Sequence, residues 1–240
     1  MARRTHEPGA MTGRNTGSRE HLTRPRVVAA ALAIVDRDGL DGLTMRGLGR
    51  ELGVDPMAAY HWFPSKPAIL QGVGEAILSE IALPPADPDV RWQQVATGMG
   101  RDYRAVLLRH PNAIAVASTQ PVMTPRGFEL VERVAAALVA GGLTAGAALE
   151  AINTIAAFVI GSAVVEVGVT PGTESVAKEA IEKAYSSVDP AKFPTLVAAM
   201  GSATALLSDD ELQFETAIDA MVRGLEASFR KRALLRGPAE

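Results

Sequence analysis

Residues 44–66 read TMRGLGRELGVDPMAAYHWFPSK. Behind Thr44, a good helix cap, the apolar Met45, Leu48 and Leu52 recur at helical spacing. Gly53 supplies the stop, because a left-handed backbone there carries no Cβ clash. Asp55 caps a second helix and Pro56 suits its first position, where an N–H would have no partner. Two short helices turned about a glycine make a helix-turn-helix, which lays its second helix in a DNA major groove. DNA is therefore the first partner the sequence predicts.

Working outward, 240 residues with 48% hydrophobic and 21% charged side chains describe one large or two small compact domains, not a disordered chain. The absence of cysteine excludes disulfides and thiolate metal sites and is compatible with a cytoplasmic location. A net charge of −3 hides a split: residues 1–66 hold ten Lys and Arg against seven Asp and Glu, and the remainder is acidic. Positive charge thus gathers around the helix-turn-helix. Residues 1–22 lack the apolar core of a signal peptide and read as a flexible tail. Its Arg3, Arg4, Arg14 and Arg19 either touch phosphates or stay solvated.

Helical periodicity recurs throughout and strand signals are almost absent. Thr23 to Asp38 presents Val27, Ala31 and Ile34 on one face, with Gly39 as its stop; Ser65 caps a helix striped by Ile69, Val73, Ile77 and Ile81. The proline-rich Leu83–Pro88 interrupts the helices and divides the chain into a head at 23–83 and a larger unit at 84–240. In that unit the pattern predicts helices from Val90 to His110, from Thr124 to Gly141, and from Thr144 to about Gly168, with a short element between Pro111 and Pro121. A turn near Thr170–Thr173, a charged helix over 176–187 and mixed signals to Thr204 precede a capping box at Ser208–Glu211. That box opens a helix to about Leu234. The sum is an all-α protein of about ten helices.

Ala151 to Val165 is almost wholly apolar, yet its 15 residues fall short of the ~20 a bilayer requires. Burial on several sides, a subunit interface included, is the expectation, with no membrane partner. In the last helix Phe214, Ile218, Met221 and Leu225 form a stripe that Val222 and Phe229 broaden. Together with Ile152 and Phe158 these residues predict a four-helix bundle across a two-fold axis; a thick internal core is the alternative.

The ensemble from Leu22 to about Ile81, with Gly39 to Arg46, Leu52-Gly53-Val54, Ala59-Tyr60-His61-Trp62-Phe63 and Ser65-Lys66-Pro67, resembles the TetR (tetracycline-repressor) family of bacterial regulators. The segment order of the larger unit resembles the tetracycline-repressor branch. The resemblance implies a three-helix DNA-binding head on a larger helical domain for ligand binding and dimerisation. It further implies a homodimer on palindromic double-stranded DNA, with half-sites about one helical turn apart, and a small-molecule effector that moves the fourth helix and releases the operator. By position it assigns DNA contacts to Thr44, Met45, Arg46, Pro56, Met57, Ala58, Tyr60, His61 and Lys66. Arg46 is the best direct reader, because arginine grips guanine bidentately; Tyr60, His61 and Lys66 fall where phosphates are held. Pro56 departs from the polar residue frequent there, and Pro56, Met57 and Ala58 offer apolar contacts rather than hydrogen bonds. Phe63 reads as core, and Gly49 inside a helix as a close approach to another helix or to DNA.

Effector sites between helices are mostly apolar with a few polar groups. The candidates are Met99, Tyr103, His110, Asn112, Thr119, Gln120, Asn153, Phe158 and Glu166. Asn153, an amide on an apolar helix, needs a partner in a ligand or across a dimer interface; His110 doubles as a helix-end residue. The tetracycline repressor holds its drug through magnesium bound by a histidine in its short sixth helix. The corresponding Ala113-Ile114-Ala115-Val116-Ala117 here has neither histidine nor carboxylate. No metal and no cofactor are therefore expected, and the effector is expected to be largely apolar. A helical-bundle enzyme, or a binding protein without DNA activity, is the competing class. The scattered His6, His21, His61 and His110 make no HExxH pair, and no nucleotide or hydrolase motif appears.

Overall fold

The computed structural model describes residues 22–85, 87, 89–119, 124–168, 183, 186–201 and 210–236. Gln120, the Thr170–Thr173 turn, most of the 176–187 helix, Ser208 with its capping box, and nearly all of the N-terminal tail lie outside them. Among the described residues there are ten α-helices and no strand.

Local capping sets most boundaries. Helix α1 (Arg24–Gly42) begins where Thr23 accepts from the Arg26 N–H. As its sequence predicts, the first helical run breaks at Gly39. Gly39 takes φ 73°, a left-handed kink open to glycine, and the helix resumes to Gly42. Helix α2 (Met45–Leu52) is capped by the Thr44 hydroxyl on the Gly47 N–H at 3.0 Å. Gly53 at φ 68° then turns the chain, and Asp55 caps α3 (Pro56–Trp62) through the Met57 N–H at 2.8 Å. Ser65 starts α4 (Lys66–Ser79). After the proline-rich passage come α5 (Trp92–Arg109), a 3₁₀ turn (Pro111–Ala113), α6 (Ile114–Thr119), α7 (Pro125–Ala140) and α8 (Ala145–Val167). A short α9 (Pro194–Gly201) and a long α10 (Asp210–Arg236) finish the chain.

Helices α1 to α3 close over Val27, Ala31, Ile34, Leu48, Ala59 and Phe63, with Ile69 and Val73 of α4 beneath them. Helix α4 also packs on α5, α6 and α7, so it belongs to both ends of the molecule. The larger unit surrounds α5, which touches α7, α8 and α10 and buries Val95, Met99, Tyr103, Val106 and Leu107. The first α1 stripe also reaches the 3₁₀ turn, bringing the corner between α5 and α6 directly against the head.

Candidate functional site

Helix α3 is anchored by one side. Ala59 and Phe63 are buried, and the Arg24 guanidinium lies 5.1 Å above the Phe63 ring while pairing with Glu75 of α4 at 2.9 Å. The other side faces outward with Met57 (71% exposed), Tyr60 (41%) and His61, and Trp62 stands edge-on to His61. Pro56 and Ala58 are half-buried. Gly49 has a structural reason: a Cβ there would lie 3.0 Å from both Cα and N of Pro56. The missing side chain lets the first turn of α3 seat on α2. Arg46 is exposed and makes no ion pair with a described residue, whereas Arg37 is held by Asp38 and Glu51. Thr44 is exposed but its oxygen serves as a cap, and Met45 is half-buried. Lys66 is half-buried and donates to the Leu40 carbonyl at 2.7 Å. That uses one of its three N–H donors and leaves two.

The effector candidates do not converge as a set. Met99 and Tyr103 are buried side by side in the α5 stripe. The Tyr103 hydroxyl makes no hydrogen bond with a described residue, and burial pushes its pKa up to about 12. Phe158 of α8 stacks on Phe214 of α10 with centroids 5.5 Å apart. The others are engaged elsewhere or face outward. Glu166 is gripped by Arg104 through two bonds of 2.9 and 3.0 Å, and Arg104 also holds Glu211 at 2.8 Å while lying over the Phe214 ring. A buried arginine needs such partners, and Glu166 serves as its counter-ion. His110 and Asn112 sit at the joint with α1, bonded to Asp36. Thr119 is exposed and turns back to the Ala115 carbonyl at 2.7 Å, and Asn153 points outward. A groove of about 440 Å³ between α8 and α10 does unite Phe158 and Glu166, with Gly161, Val165 and Phe214. Among the described residues, no three His, Asp or Glu side chains gather as metal ligands.

Comparison with known proteins decides what this arrangement belongs to. The family model for bacterial regulatory proteins of the tetR family matches residues 27–73, and that for the tetracycline repressor-like C-terminal domain matches 84–229. The chain belongs to the TetR family. It is 30% identical to an HTH-type transcriptional regulator of Saccharopolyspora erythraea over 86% of each chain. It is 33% identical to the HTH-type transcriptional repressor DrrR1 of Streptomyces coeruleorubidus over 63% of this chain and 57% of that protein. The structure of the Streptomyces coelicolor TetR-family protein ActR in complex with actinorhodin superposes with a TM-score of 0.79 at 28% identity, over 89% of this chain and all of that one. These relatives are regulators and repressors, so the enzyme reading falls.

Membership in the TetR family also settles how α8 is regarded. With a mean hydropathy of 1.8 it is the one described helix long and apolar enough to cross a membrane, yet it lies inside the family's C-terminal domain. Within one protomer only 33% of its apolar window is covered. Ile155, Val159 and Ala163 face α5 and α7, while Asn153, Ala157, Gly161, Val164 and Val165 (80% exposed) face out. Helix α10 divides likewise. Ile152, Phe214, Ile218 and Val222, expected at a dimer interface, are buried within the protomer, with Met221, Leu225 and Phe158 half-buried against the same core. Its open side carries Ala220, Arg223, Gly224 and Ala227. The broad hydrophobic stripe is the internal one, because the largest side chains satisfy their own protomer first.

Proposed function

We propose that this TetR-family regulator is a repressor that binds a palindromic operator as a homodimer and leaves it when a small, largely apolar effector enters the larger domain. The observation that carries the reading is α3 itself: a capped helix pinned through Ala59 and Phe63, with Met57, Tyr60 and His61 turned outward. Arg46 reads a base, Tyr60, His61 and the two spare donors of Lys66 fix phosphates, and Thr44, Met45, Pro56 and Ala58 line the approach. The head spans residues 23–83 and the sensor 84–240, acting in the cytoplasm where the operator lies.

Dimerisation uses the outer faces of α8 and α10. Gly161 and Gly224 support this, since a Cβ at either would meet nothing within 4 Å in the protomer. A helix-interior glycine costs about 1 kcal/mol relative to alanine. Close approach of a second copy gives both glycines a purpose, and Asn153 then finds its partner across the two-fold axis. For the effector, the Tyr103 hydroxyl is the handle: it donates to an acceptor on a largely apolar small molecule, as the similar ActR is found in complex with actinorhodin. Selection of bound duplexes from random DNA, followed by mobility-shift titration, tests the reading. A recovered palindrome supports it; sequence-independent binding alone would sink it. Polycyclic aromatic ligands added with and without magnesium should release the operator equally well.

A further inference from the structure

Three residues distant in sequence meet where the head joins the sensor. His110, at the end of α5, places Nδ1 2.9 Å from Asp36 Oδ2 on α1 and Nε2 3.0 Å from Glu80 Oε1 just beyond α4. Its neighbours reinforce both contacts. Arg109 donates to the other Glu80 oxygen at 2.7 Å, and Asn112 donates to the Asp36 backbone carbonyl at 2.8 Å. The four bonds fasten one corner, residues 109–112, to two different elements of the head. The His110 side chain is only 13% exposed, and Asp36 Oδ1 is buried with no hydrogen-bond partner.

The chemistry makes the ring more than a filler. Ionised carboxylates only accept hydrogen bonds, and both ring nitrogens face one. Removing the ring leaves two carboxylates on opposite sides of a half-buried gap, so the joint changes from a clamp to a repulsion. Asp36 also lies three residues before the Gly39 kink, where α1 is already bent. A load applied there turns the end of α1 against α2.

We infer that His110 is a positioning residue that locks α1 and the end of α4 together onto the α5–α6 corner, so that movement of this corner turns the whole reading head. The consequence for DNA rests on the repressor reading above; the joint itself does not. A shift in the sensor thus reaches the head through α1 as well as through α4, and the two helices move as one body.

The chain has no cysteine, so labels can be placed cleanly. Spin labels at Asp41→Cys on the head and Glu132→Cys on α7, both exposed positions, report the intraprotomer distance when labelled full-length protein is diluted with unlabelled protein. His110→Ala broadens that distance distribution and weakens operator binding roughly tenfold, within the usual span of coupling effects. His110→Gln, which keeps one donor, falls between Ala and the parent; it also serves if the alanine variant does not fold. An unchanged distribution in both folded variants overturns the inference. Broadening in a protein whose parent selects no palindrome keeps the joint and removes the repressor reading instead. Normal operator binding with no broadening does the reverse.

Discussion

The outer side of α3 and the outer side of α8 are both open to solvent, yet they are open in different ways. On α3 the exposed Met57, Tyr60 and Trp62 stand with the exposed His61, and Arg46 lies nearby in sequence without an ion pair among the described residues. On α8 the exposed Ala157, Gly161, Val164 and Val165 follow one another along a 23-residue helix with no cation among them. The first pattern suits a charged, wet partner, whose phosphates are positioned by hydrogen bonds. The second suits a dry one, a helix face close enough to touch small side chains. On the proposed function, one protomer carries a surface for DNA and a surface for a second copy.

The largest effect should come from putting a charge on the dry surface. Gly161→Arg places an unpaired guanidinium in the two-fold contact, at about 3–5 kcal/mol. Sedimentation is expected to find monomers where the parent is dimeric, with operator binding lost and the protomer's helical content kept. Next comes the wet surface: Arg46→Ala is expected to cost roughly 1–3 kcal/mol and to relax preference at one base pair. The two substitutions break the comparison in opposite senses, because Arg46→Ala leaves the dimer intact. A smaller change follows Tyr103→Phe. It removes one hydrogen bond of about 1 kcal/mol to the effector, so more ligand is needed for release while apo operator affinity stays unchanged.

The smallest predicted effect is acid sensitivity. For Glu80, burial alone would raise the carboxyl pKa, but Arg109 and His110 outweigh it and hold the group below its ordinary value. For Glu215, the Arg101 guanidinium at 2.7 and 2.9 Å has the same net result. Carboxylates depressed in the folded state add stability above their unfolded pKa near 4.5, and that stability disappears as pH falls through the lower folded values. Thermal midpoints should therefore drop below about pH 4.5, and less so for Glu80→Gln, which starts from a lower midpoint at neutral pH.

What the sequence makes legible follows the range of the interaction. Caps at Thr23, Thr44, Asp55, Ser65, Thr124 and Thr144 act over two or three residues, and all form the hydrogen bonds their spacing implies. The helix-turn-helix is readable for the same reason, down to the left-handed Gly53. The break at Gly39 is readable too; the short helical turn that follows it to Gly42 is not, because only packing reveals it. Long-range pairing is not legible. Nothing near Glu166 announces Arg104, 62 residues earlier, nor does anything near His110 announce Asp36. The proposed dimer face is obscured for a further reason. Hydrophobic stripes report which side of a helix is apolar and not what it faces, so Phe214, Ile218 and Val222 stand out in the sequence and the quieter Ala220, Gly224 and Ala227 do not.

On the proposed function, two protomers joined through α8 and α10 present two copies of α3 at a fixed spacing. Stoichiometry and affinity on the selected palindrome, measured again after inserting about five base pairs between its half-sites, test this directly. Two chains per duplex are expected, with specific binding abolished by the half-turn insertion. One chain per duplex, or indifference to the insertion, would contradict the proposed function.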